Sequence, residues 1–411
     1  MKVLWFCNCE LSDIKSVTTM SWLHTTAYAL IDTGEIQLYN ITQGKVKKTT
    51  RQDTRMISQW LVPFESLKRN GLPCSKTIAE IQKIVEDIKP DIIHLWGTEN
   101  YWGLLSVNGY LKGNILLEIQ GLKYEISRYF YSGLSFLDII SCFSIKELLK
   151  PTVSLIGVRH SFKQWGKLEK RMLLKHGFIS TQSNWVRIYV NNINPLAKIF
   201  NTNILLRPEF IEADKWNQDL CMPYQIFASF SSSASYKGIH ILLDAIAILN
   251  KRYPQIRLCI VGSVKSGIRE DGYSKWLKKK IKKLGISNKV NWIGSLDAKN
   301  LVLQMYNANV VVIPSFVESY SVTFDEALTL GVPTVASFAG AMPELAIHEK
   351  TALFFPPGDT AMCANAIEKY FTNKEYAETI SRNAYNDKKT KKDVNTAGLQ
   401  ISIYRSMLLH N

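Results

Sequence analysis

The chain has 411 residues, 46% of them apolar and 21% charged, a composition typical of a folded globular protein and unlike that of a disordered one. This length is too great for one ordinary core and favours two domains of about 200 residues each. The net charge of +15 suits an anionic membrane, phosphorylated substrates or nucleic acid, and also suits a basic surface without a dedicated partner.

Export and metal binding have no signature in this sequence. No apolar run reaches the roughly 18 residues that a membrane-spanning helix needs, and the N-terminal run is too short for a secretion signal. We therefore expect a cytoplasmic protein. Seven dispersed cysteines without zinc-site spacing predict reduced core thiols and no metal site.

Short β-branched runs alternate with amphipathic stretches in the first half of the chain, a pattern typical of βα units and parallel sheets. The predicted strands of this half are 3–7, 35–39, 91–95, 116–119 and 204–206. The predicted helices are 21–30 and 78–88. Pro90 follows the second helix and ends it.

The second half repeats this alternation. Its predicted strands are 226–230, 257–261, 290–293, 310–313 and 333–336. Its predicted helices are 239–252, 275–284, 301–306 and 323–330. Gly331 follows the last of these helices at a position where glycine is common.

These elements predict an α/β fold with two doubly wound domains. We expect an N-terminal domain over residues 1–207, a C-terminal domain over 208–385, and a helix within 386–411 whose apolar residues dock on the N-terminal domain. Residues 207–224 have no clear periodicity and are predicted to link the domains. Doubly wound sheets bind ligands at the carboxyl ends of their strands, so we expect a cleft between the domains.

Two glutamates surround the start of the predicted helix 323–330. Glu318 precedes the helix and Glu326 lies inside it, with seven residues between them. Unpaired N–H groups at a helix start can hold a phosphate, and a carboxylate can accept from two neighbouring hydroxyls, which together suit a nucleotide sugar. From the spacing alone, a structural interpretation is favoured, with one charge stabilising the helix dipole and one glutamate exposed.

The stretch from Glu318 to Glu326 resembles the E-x7-E motif of the retaining GT-B glycosyltransferases of family four, the glycosyl transferases group 1. The similarity runs over most of residues 226–359. Its supporting segments, in chain order, are 236–238, 242–245, 260–262, 314–315, 326–327, 331–333, 340–344 and 353–359. The resemblance implies the GT-B fold, with two Rossmann-like domains that face a cleft.

The resemblance also implies a role for each residue of the donor site. Glu318 and Lys237 would be the catalytic residues, with Glu318 on the sugar hydroxyls and Lys237 on the pyrophosphate of the donor. Glu326 would hold the ribose hydroxyls. The other donor-binding residues that the resemblance implies are Ser232, Gly262, Ser319, Tyr320, Ser321 and Val322.

The sequence departs from the family in two places. Ser231 and Ser232 stand where the family usually has an arginine that pairs with the pyrophosphate, so one fixed positive charge is missing. Lys265 or Arg207 could replace that charge, as a hypothesis. The loop that follows the first strand, residues 11–20, lacks the glycines that many members carry there.

The N-terminal half resembles the family more weakly, over residues 90–99 and 117–121. Glu99, Gln120 and His94 are candidates for contacts with the acceptor or the reacting centre, because these segments are predicted to end at the cleft. For His94 we favour the alternative of a buried histidine satisfied by the backbone.

The function implied is that of a retaining hexosyltransferase without a metal or other cofactor, whose donor substrate is a UDP- or GDP-sugar. The implied acceptor is a saccharide or a lipid-linked molecule, in the assembly of a bacterial surface polysaccharide or glycan. No nucleic-acid partner is expected. Two alternatives stay open. The first is a non-catalytic or scaffolding protein, favoured by the charge and the missing arginine. The second is an enzyme of the same fold with another reaction, such as a nucleotide-sugar epimerase or a sugar phosphorylase, for which a cofactor lysine or water-directing carboxylates are not found.

Positive charge is concentrated in two segments. The lysines of helix 275–284 take one helical face, a pattern typical of a solvated surface. In residues 146–175, basic residues alternate with apolar ones, which suits docking on anionic lipid at the inner face of a bacterial membrane. The apolar residues interleaved with these basic ones include Phe162, Trp165, Leu168 and Met172.

Overall fold

The computed structural model of the protein describes residues 1–11, 21–54, 56–231, 234–263, 270–391 and 395–409. The strands are β1 Lys2–Phe6, β2 Gln37–Gly44, β3 Thr50–Asp53, β4 Ser58–Pro63, β5 Ile92–Trp96, β6 Ile115–Ile119, β7 Phe178–Thr181, β8 Lys198–Asn201, β9 Gln225–Ser231, β10 Arg257–Ser263, β11 Val290–Gly294, β12 Val310–Ile313, β13 Thr334–Ser337 and β14 Leu353–Phe355. The helices are α1 Ser21–Asp32, α2 Ser75–Ile88, α3 Trp102–Val107, α4 Lys123–Arg128, α5 Phe136–Ser141, α6 Ile145–Leu149, α7 Leu155–Lys175, α8 Asn184–Ile193, α9 Pro208–Ile211, α10 Ile239–Asn250, α11 Gly272–Lys283, α12 Ala298–Tyr306, α13 Val322–Leu330, α14 Met342–Leu345, α15 Thr360–Thr372, α16 Lys374–Lys391 and α17 Thr396–Leu408.

The chain divides into two compact units. The first unit comprises Met1–Tyr124, Lys163–Leu205 and Asn395–Asn411, and the second comprises Glu125–Phe162 and Leu206–Val394. This division differs from the predicted domain boundaries, because residues 125–162 were assigned to the N-terminal domain but belong to the second unit. The first of the predicted boundaries, at 207/208, lies close to the observed change at 205/206.

The first unit contains an eight-stranded sheet in the order β3-β4-β2-β1-β5-β6-β7-β8. Its strand pairs are parallel except for β3, which runs antiparallel to β4 at the edge. The C-terminal helix α17 packs in this unit, where the hydroxyl of Tyr404 accepts a hydrogen bond from Trp5 Nε1 at 3.1 Å. Burial of this aromatic pair joins the last helix to the central strand β1.

The prediction of a strand at residues 204–206 is wrong. The last strand of the first sheet is β8, and residues 202–207 lie outside any strand. The apolar run at 204–206 therefore reflects burial and not β-pairing, since Leu206 is 7% exposed. The predicted linker that follows is ordered, because α9 begins at Pro208 and Trp216 is fully buried with its Nε1 2.9 Å from the carbonyl oxygen of Ala308.

The second unit contains a six-stranded parallel sheet in the order β11-β10-β9-β12-β13-β14. All five strands predicted for this half are present, displaced by at most one or two residues at their ends. From the central strand β9, the chain builds β10 and β11 on one side and then returns to place β12 on the other. Adjacent loops consequently leave β9 and β12 in opposite directions, which is the topology that opens a crevice at the strand ends.

Residues 125–162 add short helices to the second unit. Glu147 of α6 is fully buried, and its carboxylate accepts a hydrogen bond from the backbone N–H of Gly272, at the start of α11, at 2.9 Å. Phe130 packs on Tyr236 with ring centroids 5.2 Å apart. A buried carboxylate and a buried aromatic ring therefore hold the segment at two separate points.

The apolar residues predicted to mix with basic ones on a lipid-binding surface belong to the cores instead. Phe162 packs against the core of the second unit, and Trp165, Leu168 and Met172 pack in that of the first. The long helix α7 places them there at helical spacing, while its basic residues take the other positions. Of the helices in the described ranges, none is both long and apolar enough to cross a membrane.

Candidate functional site

A cavity of about 220 Å³ lies at the carboxyl ends of β9 and β12. Its walls are formed by Ser229 of β9, by Lys237 and by nine residues between positions 312 and 323, which include Glu318. The cavity therefore occupies the point at which the strand order of the second sheet reverses. Ser229 was not predicted from the sequence, although a small polar residue near the end of a buried strand is a signal that could have found it.

Lys237 and Glu318 meet inside this cavity. The ammonium of Lys237 donates to both carboxylate oxygens of Glu318, at 2.8 and 2.9 Å, and the hydroxyl of Ser315 donates to Oε1 at 2.6 Å. The Glu318 side chain is 7% exposed and that of Lys237 is 33% exposed. Burial alone would lower the pKa of Lys237, but the neighbouring carboxylate outweighs it and the pKa is raised. The lysine is therefore a fixed positive charge.

The turn at Ser235–Lys237 explains why glycine follows the lysine. Gly238 has a φ of +70°, and a Cβ at this position would lie 2.0 Å from the carbonyl oxygen of Pro314. The N–H of Phe316 donates to the carbonyl oxygen of Tyr236 at 2.7 Å. Close backbone contact between the turn and the loop after β12 thus aligns Lys237 with Glu318, and only glycine permits it.

A second glycine holds Glu318 from the other side. Gly340 has a φ of +56°, and a Cβ there would lie 2.1 Å from the carbonyl oxygen of Glu318. That oxygen accepts a hydrogen bond from the N–H of Ala341 at 2.9 Å. The glutamate is therefore fixed through its backbone as well as through its carboxylate.

The start of α13 faces the same cavity. The side chain of the N-cap residue, Ser321, does not cap the helix, and the backbone bond from the N–H of Asp325 to the carbonyl oxygen of Ser321, 3.0 Å long, closes the first turn. The N–H groups at positions 322–324 consequently have no acceptor within the helix. Val322 and Thr323 line the cavity, so this helix end can receive an anion.

Tyr320 is held by a buried polar chain that the sequence did not reveal. Its hydroxyl donates to Oδ2 of Asp325 at 2.6 Å, and Oδ1 of Asp325 lies 2.5 Å from the ammonium of Lys388 in α16. Burial and the nearby carboxylate raise the pKa of Tyr320 well above its usual value. Lys388 lies in a polar, charged stretch of the sequence that gives no sign of this contact.

Glu326 is paired with Arg207 and does not line the cavity. Oε1 of Glu326 lies 2.5 Å from Nη2 of Arg207, and both side chains are at most 10% exposed. Burial raises the pKa of Glu326 to about 7, although Arg207 acts to lower it. Arg207, one proposed replacement for the missing arginine, is thus engaged by a carboxylate in this structure.

The other predicted donor residues have different placements. Gly262, at the end of β10, has a φ of +141°, and a Cβ there would lie 2.0 Å from the carbonyl oxygen of Phe230. Ser319 and Ser321 are buried in the loop before α13. Ser232, Lys265 and the loop at 12–20 lie outside the described residues.

In the first unit, Glu99 and Gln120 come together at the ends of neighbouring strands. A Cβ on Gly97 would lie 2.1 Å from Oε2 of Glu99 and 3.1 Å from Oε1 of Gln120, so the two side chains converge on this glycine. Burial raises the pKa of Glu99, opposed by Lys123.

His94 does not join Glu99 and Gln120. It is fully buried, lies 2.7 Å from the hydroxyl of Tyr404 through Nδ1, and stacks on Trp96 at 4.0 Å. Burial lowers its pKa, opposed by Glu118. The histidine is therefore a core residue that contacts the C-terminal helix. Within the described ranges, no group of three or more His, Cys, Asp or Glu side chains is arranged to hold a metal ion.

Comparison with known proteins supports the resemblance seen in the sequence. Residues 211–387 match the family model described as glycosyl transferases group 1. The chain is 28% identical over 148 residues to a glycogen synthase of Mycobacterium tuberculosis, covering 36% of this chain and 34% of the relative. It is 30% identical over 174 residues to a D-inositol 3-phosphate glycosyltransferase of Corynebacterium urealyticum, covering 42% and 40%. The matches span less than half the length of these two relatives.

Solved structures match over almost the whole chain. A sucrose-phosphate synthase from Thermosynechococcus elongatus has a TM-score of 0.71 at 16% identity, with 100% of both chains covered. Anabaena Alr3699/HepE, in complex with UDP-glucose, has a TM-score of 0.66 at 16% identity, with 99% of both chains covered. The protein therefore has the GT-B fold, and its residues 211–387 belong to the glycosyl transferases group 1 family.

Proposed function

We propose that the protein is a glycosyltransferase that moves a sugar from a nucleotide-sugar donor to an acceptor hydroxyl with retention of configuration. The observation that carries this proposal is the Lys237–Glu318 pair beside the open start of α13. A fixed ammonium, a fixed carboxylate and free helix N–H groups are the three partners that a sugar diphosphate requires. All three line one cavity.

The donor would bind across these groups. The diphosphate accepts hydrogen bonds from the first-turn N–H groups of α13 and from the N–H of Lys237 that Glu318 does not use, since an ammonium has three donors. Glu318 accepts from sugar hydroxyls. Glu326 accepts from the ribose hydroxyls through Oε2, while Arg207 stays on Oε1.

In the reaction, the bond between the anomeric carbon and the phosphate oxygen breaks as the acceptor oxygen bonds to the same carbon from the same face. Negative charge grows on the departing phosphate, where Lys237 and the helix end stabilise it. The proton of the acceptor hydroxyl passes to that phosphate oxygen. This scheme requires no metal ion, cofactor or protein nucleophile.

The identity of the substrates is a further part of the proposal. A UDP-sugar is the first donor to test, because the similar Anabaena HepE structure was solved with UDP-glucose, and a GDP-sugar is the second. The acceptor is a saccharide or a lipid-linked molecule in bacterial surface glycan assembly, with Glu99 and Gln120 as its contacts. A cytoplasmic site at the inner membrane would suit such an acceptor.

A donor screen tests the proposal. Release of UDP or GDP from a panel of nucleotide sugars is measured for the wild type, for Glu318→Ala, and for Glu375→Ala as an exposed control in the same unit. We expect release to fall about 100-fold or more in Glu318→Ala only. Equal release by Glu318→Ala and the wild type would contradict the assignment of the site.

The second candidate is a non-catalytic binding protein on the same fold. Serine in place of the family's phosphate-binding arginine favours it, because one charge for the leaving group is absent. Calorimetric titration with UDP and GDP separates the cases. Nucleotide binding without turnover of any donor supports the binding protein, and binding with turnover supports the transferase.

A further inference from the structure

Helices α5 and α6 expose an unusual amount of apolar surface. Between residues 136 and 149, six large apolar side chains are 49% to 83% exposed. They are Phe136, Leu137, Ile140, Ile145, Leu148 and Leu149. Single exposed apolar residues are ordinary, but six on two consecutive helices form a surface that calls for a partner. We call these six side chains the apolar face.

The apolar face is held rigidly and is not a loosely packed part of the core. Each helix begins with a capping box, formed by Ser135 with Asp138 and by Ser144 with Glu147. On the side away from solvent, Cys142 is 1% exposed and Glu147 is fully buried on the N–H of Gly272. The packing of Cys142 and the hydrogen bond of Glu147 therefore fix the buried side of the two helices, and this keeps the six apolar side chains on the exposed side.

The acidic residues near the apolar face are engaged by neighbouring groups, and exposed basic residues lie in the same segment. Glu125 pairs with Arg128 at 3.0 Å, and Asp138 accepts from the N–H of Ser135 at 3.0 Å. Glu147 is buried, so the accessible charge of the segment comes from bases such as Lys150.

The neighbouring helix α11 adds to this positive charge. It packs against α5 and carries six lysines. Two of them are paired, Lys278 with Glu270 at 2.5 Å and Lys280 with Asp244 at 2.8 Å. Lys279, Lys282 and Lys283 are exposed, and the described part of the chain shows no ion pair for them. Their charge is therefore available to an anionic partner.

We propose that the apolar face and the adjoining lysines of α11 dock the protein on a bilayer surface that contains anionic phospholipid. The apolar side chains enter the boundary between headgroups and acyl chains, and the lysines meet the phosphates. A second copy of the chain fits less well, because an isologous contact would bring the same lysine-rich borders together. The docking surface is distinct from the cavity, so this inference stands independently of the proposed transfer reaction.

Sedimentation with vesicles tests the proposal. The full chain is mixed at low salt with vesicles of equal parts phosphatidylglycerol and phosphatidylcholine, or of phosphatidylcholine alone. We expect binding to the anionic vesicles, reduced about tenfold or more by Leu148→Ser/Leu149→Ser and by the independent pair Phe136→Ser/Leu137→Ser. Leu220→Ser, which changes a leucine of the same unit that is 78% exposed, serves as the control and should bind like the wild type.

The charge contribution is tested with Lys279→Glu/Lys282→Glu, which should weaken binding to the anionic vesicles as high salt does. Thermal melts of all variants check that they are folded. The proposal is overturned if the wild type does not bind anionic vesicles, or if folded variants of the apolar face bind as well as the wild type. It is also overturned if ultracentrifugation shows a dimer that these variants abolish while vesicle binding is absent. Nucleotide release from a soluble donor should be the same in all these variants, which separates this surface from the donor site.

Discussion

Replacement of Lys237 by methionine should damage catalysis far more than stability. The ammonium donates to both oxygens of Glu318, at 2.8 and 2.9 Å, and in the proposed reaction it also faces the leaving phosphate. Loss of one such donor costs about 2.7–4 kcal/mol of transition-state stabilisation, or about 100- to 1000-fold in rate. Breaking a fully buried pair would cost about 3–5 kcal/mol of stability. Because the Lys237 side chain is 33% exposed, we expect about 1–2 kcal/mol here.

The double variant Lys237→Met/Glu318→Gln separates the two effects. In the single variant, the Glu318 carboxylate loses the ammonium of Lys237 and keeps the hydrogen bond from the hydroxyl of Ser315, at 2.6 Å. A neutral amide removes that uncompensated charge, so the double variant should recover most of the free energy of unfolding and none of the rate. Urea denaturation measures the first quantity, and a coupled assay of nucleotide release measures kcat/KM.

Lys251→Met, on an exposed lysine of the same unit, is the matched control and should change neither quantity. Two results would refute the reasoning. If Lys237→Met keeps its rate within about threefold of the wild type, the ammonium does not stabilise the leaving group. If the double variant recovers rate together with stability, neither the ammonium of Lys237 nor the carboxylate of Glu318 takes part in the transfer step.

Three further predictions concern the surroundings of the site. The pKa of Glu326 rises on folding from the usual 4.5 to about 7, so its contribution to stability is complete below pH 4.5 and lost as the pH rises through 7. Glu326→Gln should therefore reduce the fall in the free energy of unfolding between these pH values, measured by urea denaturation. Lys388→Met should raise the donor KM about fivefold, with kcat unchanged, because it removes the ion pair with Asp325, the residue that holds the hydroxyl of Tyr320. An unchanged KM, or no rescue by Lys388→Arg, would contradict this positioning role. Gly340→Ala should lose at least about 1 kcal/mol more stability than Gly285→Ala, because both glycines have a positive φ but only a Cβ at position 340 would lie within 4 Å of backbone atoms. Equal losses in chemical denaturation would contradict the close contact.

The second unit could be predicted well because its signals are local. The run at 310–313 is a continuous β-branched strand that ends at a proline, and β12 has those bounds in the structure. Lys237, Gly238 and Glu318 were identified because short segments around them resemble the family, whereas their spacing alone favoured a structural interpretation. The 2.8 Å contact between Lys237 and Glu318 depends on the geometry of the turn at Ser235–Lys237, which the sequence does not give.

Contacts between distant residues could not be predicted in the same way. The join of residues 125–162 to the second unit depends on Glu147 reaching the N–H of Gly272, 125 positions along the chain. The pairing of Asp325 with Lys388 depends on where α16 packs, and a polar helix carries no pattern that reveals it. His94 was a candidate for the reacting centre because its segment was predicted to end at the cleft. In the structure its side chain lies on the side of β5 that contacts the C-terminal helix.

The contact between Trp5 and Tyr404 also constrains when the core of the first unit can be completed during synthesis. The two residues are 399 positions apart, and both are buried in one cluster of the first unit. The second unit draws its residues from 125–162 and 206–394, all of which leave the ribosome before α17 does. The contact between α17 and β1 can therefore form only after every residue of the second unit has left the ribosome. The core around Trp5 in the first unit is therefore incomplete until α17 docks on it.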